Sequence, residues 1–127
     1  MKLEDQVVSL EIARALKGLG VEQESLFYWE ENKINKGFKG RIVSGNPSIT
    51  NDWAIPSSAF TVAELGELLP NIIGDYVLDQ IKTIDDQYGL IYRNNGKWLH
   101  SVGEDTEANA RGEMLIYLIE NDLIKDV

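Results

Sequence analysis

Cysteine is absent from the 127 residues, and histidine occurs once, at position 100. Without a thiol there is no disulfide, no thiolate nucleophile and no cysteine zinc site, and the chain suits a reducing compartment. A single histidine rules out the HExxH metalloprotease spacing and every Cys/His ligand set. No apolar run approaches the ~20 residues that span a bilayer, and Met1-Lys-Leu-Glu-Asp5 has no apolar signal core, so the expectation is a cytoplasmic chain with no membrane partner. Gly18, Gly20, Gly37, Gly40 and Gly45 form neither a Walker loop nor a dinucleotide fingerprint, and each has a turn or cap explanation. Asn46-Pro47-Ser48 is closed to N-glycosylation by its central proline.

What is present is acid. The formal charge is -9, and it is uneven: residues 1–60 carry seven Lys/Arg against eight Asp/Glu, residues 61–127 five against thirteen. Such a field favours basic partners and opposes polyanions, apart from one local exception. Lys33, Lys36, Lys39 and Arg41 form a cationic run without an intervening acid, next to Tyr28, Trp29 and Phe38. These four are the candidate phosphate contacts of an alternative, nucleic-acid-binding reading.

Local patterning predicts one α+β domain over residues 1–127. Its expected form is a twisted antiparallel meander covered by about three helices, with the C-terminal helix central to the core. Ser9 is placed to cap a helix reaching about Leu19, with Ile12, Ala13, Leu16 and Leu19 inward and Gly20-Val21 as its left-handed stop. SLEIARALKGLGV resembles the start of a helix-turn-helix, but the aromatic Ser25-Leu-Phe-Tyr-Trp-Glu30 that follows suits a strand and offers no base-reading face. Thr61 and Glu64 have capping-box spacing, Phe60 and Leu65 staple spacing, and Pro70 stops that helix. Strands are expected over Lys39–Val43, Ile81–Ile84, Gly89–Arg93 and Lys97–Val102, the last two joined by an Asn95-Gly96 turn. Strict alternation in the last strand places Trp98 and His100 on one face, Leu99 and Ser101 on the other. In the C-terminal helix Ala108, Gly112, Leu115 and Ile119 recur on one stripe, widened by Met114 and Leu118.

An enzymatic reading needs His100 to meet Asp85, Asp86, Glu104 or Asp105, as a hydrolase or a metal-assisted centre at the acidic end of the sheet. Ser101 lies on the opposite face of the strand and is a poor nucleophile partner. No catalytic, metal or cofactor residue is assigned. The eight Trp and Tyr side chains exceed what one small cavity uses, which points to contact area, with Trp29, Trp53 and Trp98 as candidate interaction residues. Self-association through an open strand edge or the last helix is a further expectation.

The segments SLEIARALKGLGVEQESLFYW, AFTVAELGELLP and EANARGEMLIYLIEND together resemble a family of small uncharacterised proteins of phages, prophages and related bacterial mobile elements. The resemblance runs from about Ser9 to Leu123; residues 31–55 and 71–88 match no pattern within it. It brings no catalytic residue to any position here, and it implies an accessory, regulatory or host-interaction role. Taken together, the expectation is a noncatalytic protein–protein interaction or accessory module, its partner an unspecified protein or a second copy.

Overall fold

A computed structural model of the chain describes residues 2–32, 34, 40–45, 53–83, 85 and 87–125, with residues 53–55 as backbone. Its helices begin and end where the caps dictate. Helix α1 is a single turn, Leu3–Gln6, in what reads from the sequence as a polar lead. Helix α2 spans Leu10–Gly18, and the Ser9 hydroxyl accepts the Ile12 N–H. At its end Gly20 has φ +89°, the Gly20 N–H reaches the Lys17 carbonyl at 3.0 Å and the Val21 N–H reaches that of Leu16 at 3.1 Å. This closes a Schellman motif on the buried Val21. Helix α3 spans Val62–Leu68 and carries the full capping box: the Thr61 hydroxyl accepts from the Glu64 N–H at 3.2 Å, and the Glu64 carboxylate accepts from the Thr61 N–H at 3.0 Å. The staple partners Phe60 and Leu65 are both buried.

The strands divide between two antiparallel sheets. Strands β1 (Phe27–Asn32), β2 (Arg41–Ser44) and β3 (Trp53–Ser58) form a three-stranded sheet in the order β2-β1-β3. Pro56 lacks an N–H to donate, and β3 accommodates it by lying at the edge. Strands β4 (Ile72–Ile73), β5 (Tyr76–Lys82), β6 (Tyr88–Asn94) and β7 (Lys97–Glu104) run as a meander in chain order. The β6–β7 turn is the one the sequence specifies, with φ +45° at Asn95 and +83° at Gly96. Ile84 and Asp86 lie outside the described residues.

Helix α4, Glu107–Glu120, is the hub. Thr106 caps it by accepting the Asn109 N–H, and the helix touches α1, α2, α3, β6 and β7. Ala108, Ala110, Gly112, Met114, Leu115 and Leu118 are buried, and Ile116, Tyr117 and Ile119 pack partly buried at the margin of the same core. The small residues on this list admit the neighbouring helices. A Cβ on Gly112 would stand 2.6 Å from the Ile12 Cγ2 and 2.9 Å from the Val8 Cγ1. Burying each large apolar side chain contributes about 1.5–3 kcal/mol, so this cluster dominates the stability of the domain. The class and the central helix are as the sequence expects; the division into two sheets and the extra helical turn are finer detail that it does not show.

The alternation expected in β7 is corrected. Tyr92 stands opposite His100 and Arg93 opposite Trp98, a register shift that leaves Leu99 as the extra residue of a β-bulge. Cross-strand partners share a face, so Trp98 joins Arg93 outside while His100 joins the buried Tyr92 on the α4 side. Leu99 packs against the core as well. One inserted residue therefore separates Trp98 from His100.

Candidate interaction surface

The outer face of the four-stranded sheet is built by period two. Val77, Asp79 and Ile81 of β5 stand opposite Arg93, Ile91 and Gly89 of β6, and these in turn stand opposite Trp98, Ser101 and Gly103 of β7. The inward positions Leu78, Leu90, Tyr92 and Val102 belong to the core beneath α4. On the outer face Ile72 is 61% exposed, Val77 52%, Ile81 38% and Trp98 67%. These values mark a patch of large apolar side chains facing solvent, whereas isolated exposed residues would need no explanation.

The patch has internal order. Ile91 lies on this outer side yet is only 3% exposed. Gly89 makes room for Ile81, whose Cγ1 occupies the space a side chain at 89 would need. Arg93 and Asp79 form an ion pair across β5 and β6, so the one cation and the one carboxylate among these nine face positions neutralise each other. Val77, Asp79, Arg93 and Trp98 wall a shallow groove of ≈ 670 Å³ that runs past the Asn95-Gly96 turn.

Of the three tryptophans singled out from the sequence, Trp98 alone is shown on this surface. Trp29 is half-buried against the core, and its indole N–H donates to the Val8 carbonyl at 2.8 Å. That bond ties β1 to the segment between α1 and α2, a structural role. Trp53 opens β3 opposite Asn32, and its side chain lies outside the described residues. Lys33, Lys36 and Lys39 also lie outside them. Arg41 begins β2 and donates to the Glu30 carboxylate at 2.9 and 3.0 Å. Glu30 is 1% exposed, and Arg41 supplies charge that this buried carboxylate needs.

His100, Glu104 and Asp105, three of the residues proposed for acid–base chemistry, are drawn into other contacts. The His100 ring stacks on Tyr117 of α4, with centroids 3.6 Å apart and planes 2° from parallel, and burial holds its pKa below the ordinary imidazole value. Asp105 accepts from Gln87 at 3.3 Å, and Glu107 accepts from Gln80 at 2.6 Å and from Arg111 at 3.4 Å. Burial, followed by the neighbouring Glu113 and Asp105 carboxylates, raises Glu104 above the usual carboxylate range. The buried Tyr92 phenol is pushed up to about 12 by desolvation and donates to the Pro70 carbonyl at 2.6 Å, fixing β6 to the end of α3. Among the described residues no three of His, Cys, Asp and Glu are arranged to hold a metal ion, and no helix is long and apolar enough to cross a membrane.

Sequence reasoning missed Ile72, Val77 and Ile81 as surface residues. The signal was the alternation Val77-Leu78-Asp79-Gln80-Ile81, hidden because Gly74 and Asp75 make a tight turn in the middle of an apolar stretch that reads equally as a strand or as a loop with apolar anchors. Compared with protein-family models, with curated proteins and with solved structures, the chain matches none.

Proposed function

We propose that this protein is a noncatalytic interaction module that docks a protein partner on the outer face of its four-stranded sheet, with Trp98 as the anchor. One observation carries the reading: an indole 67% exposed on the outer face of the sheet, lining one groove with Arg93 and Val77. A tryptophan held in that position by a bulge brings large contact area at little cost in side-chain entropy, the character of an interface hot spot. The Arg93–Asp79 pair gives the patch a polar component that sets orientation more than affinity. The resemblance to proteins of phages and bacterial mobile elements supports, from the sequence side, an accessory role in a bacterial cytoplasm.

Affinity capture with the wild-type chain, Trp98→Ala and Val77→Asp tests this reading. Both variants should melt like wild type and lose the same captured protein. Retention of that protein by both variants would end the proposal.

A further inference from the structure

Strand β7 pairs with β6 along one side; along the other, among the described residues, it meets no strand. Its free edge is a row of backbone donors and acceptors, a template for another strand. The side chains on that edge complement their own reverse order. Around a two-fold axis at Ser101, with the bulged Leu99-His100 counting as one position, Lys97 falls opposite Glu104 of a second copy, Trp98 opposite Gly103, and Leu99-His100 opposite Val102.

In an uninterrupted strand this register would fail, because residues of opposite parity point to opposite faces. The bulge at Leu99 repairs the phase. Trp98 and Gly103 both lie on the outer face, opposite Arg93 and Gly89. Leu99 and Val102 both pack toward the core, and Lys97 and Glu104 both stand on the α4 side, opposite Asn94 and Tyr88. Ser101, at the axis, meets its own copy on the outer face.

We propose that two copies of this chain pair antiparallel through β7 in this register, joining their four-stranded sheets into one of eight. The inference shares Trp98 with the docking reading and goes beyond it, adding a second copy at the β7 edge while the outer face around Val77 stays with the docked partner. Charge complementarity selects a second copy. Glu104 sits among carboxylates, with Glu113 and Asp105 beside it, and the exposed Lys97 of the other copy brings a cation to that point. The Trp98 indole covers a glycine, which offers no side chain to obstruct it. The isologous contact repeats each pair at both ends of the axis.

The test is sedimentation equilibrium over a concentration series with wild type, Lys97→Glu, Glu104→Lys and an equimolar mixture of the two variants. Wild type should dimerise, and each reversal should weaken the dimer roughly tenfold, since two attractive pairs become repulsive. The mixture should recover wild-type affinity, because opposite charges then meet at both ends. Lys97 is exposed, so Lys97→Glu alone carries the test if the other variant melts early. A wild-type chain that stays monomeric, a dimer indifferent to both reversals, or a mixture as weak as its components would each overturn the pairing. The docking reading fails separately, when Trp98→Ala and Val77→Asp still capture the protein that wild type captures.

Discussion

Gly112 shows how tightly the domain is built at the scale of one residue. Two methyl groups, from Ile12 and Val8, occupy the volume a side chain would take, and both belong to segments that pack on α4. Gly112→Ala should gain a little helix propensity and lose more to overpacking, a net cost of about 1–3 kcal/mol in urea unfolding. The tryptophans divide by the same criterion. Trp29→Ala removes a core contact and the bond to the Val8 carbonyl, and should cost about 3–5 kcal/mol. Trp98→Ala removes a side chain already in water and should stay within about 0.5 kcal/mol of wild type. Thermal or denaturant melts of the two variants side by side check this contrast. Composition alone could not separate the two residues, because burial is a property of the pairing of strands and not of residue type.

Among the elements, those specified by neighbours along the chain were legible and those specified by partners across space were not. The Thr61–Glu64 capping box, the Gly20 stop and the Asn95-Gly96 turn each link residues no more than five apart, so their chemistry is written in order. The bulge at Leu99 depends on how β7 meets β6, and nothing local announces it. It nonetheless decides the site, since it turns Trp98 outward and leaves His100 stacked on α4. The packing of β7 on α4 also has an electrostatic cost. Glu104 is raised by burial and by the Glu113 carboxylate, so the folded state holds its proton more tightly than the unfolded state does. The sign follows directly: this stabilisation is present at low pH and lost as pH rises through the folded pKa. Glu113→Gln removes one of the opposing charges, so it should melt above wild type at neutral pH. That margin should shrink as pH falls through the carboxylate range, as melting temperatures across a pH series would record.

For the molecule as a whole, one core organised by α4 supports two sheets with different faces. The three-stranded sheet ties Trp29 to the Val8 segment and Glu31 to Arg14 of α2, while the buried Glu30 pairs with Arg41 inside the sheet. Among the described residues the four-stranded sheet has helix α4 on one face and leaves Ile72, Val77, Ile81 and Trp98 of the other exposed. The fold class and hub helix were readable because apolar period and capping recur over long stretches. The exposed apolar face was not, because its residues come from four strands brought side by side by turns. A net charge of -9 keeps copies apart in general, so any specific contact has to come from a locally neutral surface, and this face is one. Hydroxyl-radical footprinting of the chain, free and in its captured complex, tests that assignment most directly. Trp98 should label strongly in the free chain and be markedly protected in the complex, while the exposed Leu26 and Ile34, which flank β1 of the three-stranded sheet, stay unchanged. Unchanged labelling at Trp98, with protection at Leu26 or Ile34 instead, would contradict it.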